Sequence, residues 1–279
     1  MRFSSRMFLA ILAVFASVSC VGGISPRAWG EEPKSSVKAI RALLVLGGCC
    51  HDYATQKELL SKGIAERAHV EVVIAFDSDK TTSHLNPIYE SPGFADGFDV
   101  IIHDECSADV KDLAIIDRIL APHRKGTPAV ILHCGMHCYR SEGYPAAVTP
   151  WFEFTGLQST GHGPQAPIDI TFGAPQHAIT EGQSTWTTIN EELYNNSSGK
   201  LLASATPLAS GKQTATNKKG EINTAESVIV WTNNYRDTAK VFATTLGHNN
   251  DTVSDDRYLD LITRGLLWSC GKLNGDYLK

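Results

Sequence analysis

The sequence predicts an α/β fold with a mostly parallel central sheet. Three observations predict it. Short continuous apolar runs recur along the first half, as strands buried on both faces require. Stretches with apolar residues at helical spacing separate several of them, which is the rhythm of strand-helix-strand connections. Each run also gives way to glycine, histidine, cysteine or acidic residues, at the edge where open parallel sheets bind ligands.

The elements follow in order. Ala42 to Leu46 is an apolar run closed by Gly47-Gly48, a buried strand and a tight turn. Thr55 to Ala68 carries Leu60, Ile64 and Ala68 at helical spacing, with Lys and Glu opposite. "VEVVIAF" (Val70 to Phe76) is a β-branched strand. A long loop with Pro87, Pro92 and Gly93 leads to a third strand, Phe98 to Glu105, and a helix over Val110 to Leu120. Pro128 to His133 is the fourth strand. The second half is richer in strands: Ile168 to Phe172, Leu201 to Thr206, Ser227 to Tyr235 and Ala239 to His248. Gly211 to Gly220 reads as a polar surface hairpin or loop. A final helix is capped by Ser254, with Asp255 and Asp256 at its positive end, and Tyr258, Leu261, Ile262, Gly265 and Leu266 on its core face.

Composition narrows the function. The chain has 279 residues, net charge −5 and no basic block, which argues against nucleic acid as a partner. Residues 1–30 read as a signal peptide. Arg2 and Arg6 precede an apolar stretch from Met7 to Ser19 that is too short to span a bilayer. Cleavage near Gly30 is expected, ahead of lipidation at Cys20, which lacks the usual leucine. The protein is therefore expected to be exported, periplasmic or extracellular, with no membrane span after cleavage. Residues 31–38 form a tether and 39–275 the domain. Export permits disulfides, but the six cysteines after Cys20 are not spaced as a stapled scaffold. Adjacent Cys49-Cys50 is awkward for one, so most are expected free or buried, with room for one bridge.

Polar residues gather where three strands end. The first run leads to His51 and Asp52, the third to His103, Asp104 and Glu105, the fourth to His133, Cys134 and His137. His162, His177, Glu191, Glu192, Tyr194 and His248 follow. Imidazole and carboxylate are ordinary ligands of Zn, Mn, Fe or Ni, and a catalytic zinc needs three protein ligands and an open position. The candidates exceed that need, leaving others to orient ligands or hold substrate. A nucleophilic role for Cys134 is disfavoured by its neighbours. Leu132 and Met136 stand where a strained nucleophile turn wants glycine.

"LLVLGGCCHDY", "VIIHDE", "VILHCGMHCYR", "STGHGP", "HAIT", "EELY" and "VFATTLGH" occur in order. Together they resemble the ThuA-like (trehalose utilisation) family, over Arg41 to Gly271. The resemblance implies a flavodoxin-like three-layer sandwich of the class I glutamine amidotransferase-like kind, and a place in carbohydrate metabolism beside oxidoreductases that make 3-keto-glycosides. It marks His51, His103, His133, Glu192, Tyr194 and His248. The expectation is then a divalent transition metal held by His51, His103 and His133, with Asp104 or Glu192 as proton acceptor. His137, His162, Tyr194 and His248 would hold a small saccharide, a glycoside or 3-keto-glycoside, for lyase or hydrolase chemistry. Trp151, Trp186, Tyr144 and Tyr194 are candidates to stack on sugar rings. Two alternatives stand beside it: a cysteine-dependent amidotransferase-like hydrolase using Cys134, and a non-catalytic sugar-binding module. Whether the chain forms a homo-oligomer is left open.

Overall fold

The first strand, β1 (Ile40–Gly48), shows why the chain folds in three layers. Ala42, Leu44 and Leu46 point to one core cluster, Leu43 and Val45 to another, and all five are fully buried. A strand with apolar side chains on both faces needs cover on both. The structure is a computed structural model and describes residues 37–173, 175–194, 201–216 and 219–279. The expected leader, residues 1–30, and positions 31–36 of the tether lie outside the described residues.

Helix α1 (Tyr53–Arg67) follows β1 and returns the chain to β2 (Val70–Phe76), which pairs in parallel with β1. β3 (Val100–Cys106) pairs in parallel on the other side of β1. Helix α2 (Leu113–Arg124) leads to β4 (Ala129–Leu132), parallel to β3. A 3-10 turn, His133–His137, and a short helix α3 (Pro150–Thr155) come next. Strands β5 (His162–Ala166), β6 (Asp169–Phe172), β7 (Trp186–Thr187) and β8 (Glu191–Tyr194) are short. β9 (Ala205–Thr216) and β10 (Ile222–Tyr235) form a long antiparallel pair, and β11 (Ala239–Thr244) returns to lie parallel to β4. Helices α4 (Asn250–Val253) and α5 (Asp256–Ser269) close the domain.

The main sheet runs β2-β1-β3-β4-β11-β10-β9-β6-β7; β5 and β8 pair separately. Its first five strands are all parallel, so their carboxyl ends share one rim. The rest extends it antiparallel. Leu60 and Ile64 of α1 and Leu261, Ile262 and Leu266 of α5 cover one face. Ile116, Ile119 and Leu120 of α2 and Trp151 and Phe154 of α3 cover the other. Each such side chain contributes about 1.5–3 kcal/mol of burial. Gly265 lets α5 lie directly on β11, because a Cβ there would come within 2.4 Å of the Phe242 ring.

The stretch Gly211 to Gly220, open between hairpin and loop, takes the hairpin form: residues 211–216 are strand, laddered antiparallel to β10. Three local expectations need correction. Asp255, not Ser254, caps α5, accepting from Arg257 N; Ser254 ends α4 instead. Leu201 precedes the strand assigned to it, which starts at Ala205. Two bridges occur where room was left for one: Cys49–Cys50 and Cys106–Cys134. Among the described residues, no helix is long and apolar enough to cross a membrane.

Candidate functional site

Three loops leave the shared rim and carry one imidazole each. Beyond β1 the backbone turns through Gly47 and Gly48, both at positive φ. Gly48 is pressed so near the Cys106 carbonyl that a Cβ would lie 2.3 Å from its oxygen. That turn delivers His51, after which Asp52 caps α1 and accepts from Asn250 Nδ2 at 2.8 Å. β4 ends directly in His133, at φ +41°. The 3-10 turn behind it packs Gly135 against the His103 carbonyl, where a Cβ would sit 2.6 Å from oxygen. β11 is followed by His248. Gln56 donates to the carbonyls of Gly247 and His248, and the buried Glu191 carboxylate accepts from the backbone N–H of His248 and Asn249.

The rings of His51 and His133 stand edge to face with centroids 4.7 Å apart, and those of His51 and His248 are 4.9 Å apart. One nitrogen from each of His51, His133 and His248 lies within 4.8 Å of the other two. His51 Nδ1, His133 Nε2 and His248 Nδ1 are buried and lack hydrogen-bond partners. Three converging ring nitrogens, two of which face only the Glu192 carboxylate at 3.3 and 3.6 Å, suit a divalent transition metal, and imidazole is the ligand such ions take most often. The donor set therefore fits the expected cofactor.

Glu192 faces this group from β8. Its Oε2 is 3.3 Å from His248 Nδ1 and 3.6 Å from both His133 Nε2 and His162 Nε2. β8 is held there by its pairing with β5, which places His162 opposite Tyr194. Gln165, also on β5, puts its amide nitrogen 2.7 Å from His248 Nε2. His137 stacks on Tyr194 at 4.1 Å, nearly parallel. His51, His137, His162, Glu192, Tyr194 and His248 line a cavity of about 310 Å³, together with Arg140 and Thr160.

The electrostatics divide the roles. Burial, with His133 and His248 alongside, lowers the His51 imidazole to about 2. Burial lowers His137 strongly as well. Desolvation opposes the charge on Glu192, but its pairing with His133 and His248 outweighs that and holds the carboxyl below the usual range. The same carboxylate raises His248. The site thus favours neutral rings at His51 and His137 and an anion at Glu192.

Several expectations change. His103 does not join the imidazole group. β3 runs on past it to Cys106, so His103 is a mid-strand residue paired with Val45 and Ile131. Its ring lies in the α2/α3 layer, with Nδ1 3.0 Å from Glu105 Oε1 and Nε2 3.1 Å from His123 Nε2. Tyr89 and Tyr139 hydroxyls also donate to Glu105. His248 takes the place assigned to His103. Asp104 is buried and does not line the cavity. Burial and neighbouring Glu105 push its carboxyl well up, which favours the protonated form. Trp151 is buried, donating to the Gly135 carbonyl, and Trp186 meets Arg257. Tyr144 donates to the Ser159 carbonyl. Of the four aromatic candidates, Tyr194 alone lines the cavity. Cys134, weighed as a nucleophile, is bonded to Cys106. Sequence reasoning missed Gln56, Gln165 and Arg140. For Gln56 and Gln165 the signal is tertiary, since nothing in their local sequence ties them to His248; Arg140 stands three positions after His137 and donates to its carbonyl.

The ThuA family, described as trehalose utilisation, matches residues 28–269. Among solved structures, a ThuA-like protein of Bacteroides uniformis superposes with TM-score 0.62 at 17% identity, covering 86% of this chain and 95% of that one. A ThuA-like protein of Parabacteroides merdae gives 0.59 at 18% identity, covering 84% and 91%. The glutaminase domain of Trypanosoma brucei CTPS gives 0.47 at 11% identity, covering 86% and 100%. No curated protein matches the chain.

Proposed function

Because the chain belongs to the ThuA, or trehalose-utilisation, family, we propose that it is a metal-dependent enzyme acting on a glycoside or 3-keto-glycoside. The observation that carries this reading is the convergence of three imidazole nitrogens, from His51, His133 and His248, beside an ionised Glu192.

His51, His133 and His248 would hold the ion, and a divalent transition metal there supplies Lewis acidity to a sugar carbonyl oxygen. The remaining chemistry belongs to the chain's own groups. A 3-keto group acidifies the neighbouring C–H, which an ordinary glycoside keeps inert. Glu192 is anionic and takes that proton. Elimination then breaks the glycosidic C–O bond. His162, whose Nε2 faces Glu192 and whose ring is solvent-exposed, protonates the departing oxygen. Water adds across the resulting double bond to complete hydrolysis. Tyr194 offers a ring face and Arg140 a fixed cation to position the sugar.

The test is elemental analysis of purified protein, with turnover of a 3-keto-glycoside before and after chelation. Near-stoichiometric metal and chelator-sensitive release of the aglycone are expected. Protein that takes up no transition metal, or that turns over the substrate equally well after complete metal removal, would overturn the reading. Clear sugar affinity without turnover would point instead to a binding module.

A further inference from the structure

Four cysteines line the same cavity as the imidazoles: Cys49, Cys50, Cys106 and Cys134. Their sulfurs form a chain. Cys50 is exposed and bonded to Cys49. Cys49 is buried, and its Sγ lies 3.4 Å from Cys106 Sγ. Cys106 is bonded to Cys134, and both are buried. The register explains the contact. Gly48 pairs with Cys106 in the sheet and is pressed on its carbonyl, so residue 49 emerges directly over Cys106. At the far end, the sulfurs of Cys106 and Cys134 and a ring nitrogen of His51 lie within 4.8 Å of one another.

We propose that these four cysteines are a thiol–disulfide relay that accepts two electrons from an external dithiol at Cys50 and delivers a thiol at Cys134, beside His51. The steps balance. A thiolate of the dithiol attacks Cys50 Sγ, breaking the Cys49–Cys50 bond and forming a mixed disulfide at Cys50. Cys49 leaves as thiolate. It attacks Cys106 Sγ, forming Cys49–Cys106 and expelling Cys134 as thiolate. The dithiol's second thiol then attacks the mixed disulfide, leaving as its own cyclic disulfide and freeing Cys50. The two protons of the dithiol end on Cys50 and Cys134. Exchange proceeds through such mixed disulfides. The second step is intramolecular between sulfurs already in contact, so it outruns bimolecular capture of the buried Cys49.

The relay does not rest on the sugar chemistry proposed above, and its test reads bonds rather than turnover. The oxidised full-length protein is treated with one equivalent of dithiothreitol, quenched in acid, alkylated with N-ethylmaleimide and mapped by mass spectrometry without further reduction. Label on Cys50 and Cys134, with a Cys49–Cys106 cross-link, is expected. Label on Cys49 and Cys50 with Cys106–Cys134 intact would overturn the relay, as would label on Cys106 and Cys134 with Cys49–Cys50 intact. The Cys50→Ser variant gives a second reading. It should isolate with Cys49–Cys106 joined and Cys134 free; retention of Cys106–Cys134 with free Cys49 would count against the proposal. Protein that keeps all four as thiols in air would also end it.

Discussion

His133 Nδ1 lies 2.6 Å from the carbonyl oxygen of Thr245, on the segment that joins β11 to His248. The ring N–H donates there, which fixes the tautomer and turns a bare Nε2 toward the imidazole group. One hydrogen bond therefore orients one ligand against the loop that carries another. His133→Ala and His248→Ala should each cut bound metal to below about a tenth of the wild-type content, since three ligands are the working minimum. Elemental analysis after gel filtration measures this, and a variant retaining full content would remove that residue from the ligand set.

His103→Ala should behave differently. Metal content is expected to stay near the wild-type level, while stability drops by about 3–5 kcal/mol. The cause is the partnership of His103 with buried Glu105 and His123, which the substitution breaks. Urea denaturation gives the stability and elemental analysis the metal. Loss of metal from a well-folded variant would contradict the placement of this residue.

Glu192→Gln removes the anion but keeps the shape. Turnover of a keto-glycoside should fall by about 10²–10⁴-fold, the usual contribution of a positioned base. The imidazole triad remains, so metal content should be largely retained. Steady-state kinetics with a parallel metal assay separates the two effects.

Metal affinity should fall as the solution becomes more acidic, and by a defined number of protons. A ligand must be deprotonated to bind. His51 is held down to about 2 and carries no proton to displace. His248 is raised above its ordinary 6.5 by Glu192, so it keeps its proton to higher pH than a free imidazole and, below that raised value, must release it on binding. The affinity is therefore full above the raised value and is lost as pH falls through it. Calorimetric titrations in buffers of different ionisation enthalpy count the protons. Release from His51 in the neutral range would contradict its burial.

Gly265→Ala should destabilise the domain by about 1–3 kcal/mol through overpacking, because the added methyl meets the Phe242 ring in the closed α5–β11 contact. Thermal unfolding checks this, and an unchanged midpoint would mean that the helix shifts freely.

The parallel half of the fold was legible because its strands are continuous apolar runs; the reading of Val70 to Phe76 matches β2 residue for residue. The antiparallel half was legible in part: Ile168 to Phe172 and Ser227 to Tyr235 fall on β6 and the end of β10. β9 beyond Ala209 mixes Gly211, Lys212, Gln213 and threonines, and only its ladders to β10 and β6 mark it as strand. At the site, His51 and His133 could be read because apolar runs stop just before them. His103 misled because it lies inside the third strand, which the sequence carries to Glu105 and the structure to Cys106; its ring turns into the α2/α3 layer against Glu105 and His123 and away from the imidazole group. His248 was recognised as a cavity residue. Its place in the triad depends on Gln56 and Glu191, which reach it from remote segments and leave no local trace.

Each triad imidazole follows a parallel strand by no more than four positions, on short turns whose backbone groups are held by side chains. β3 separates β1 from β4, so those strand ends stand two steps of about 4.8 Å apart, and the turns lean together to bring the rings into one group without long insertions. Such a centre is portable. Grafting these three turns, the β5–β8 strap and Gln56 of α1 onto another doubly wound scaffold should transplant the imidazole pocket; without Gln56 the His248 turn loses one of its anchors.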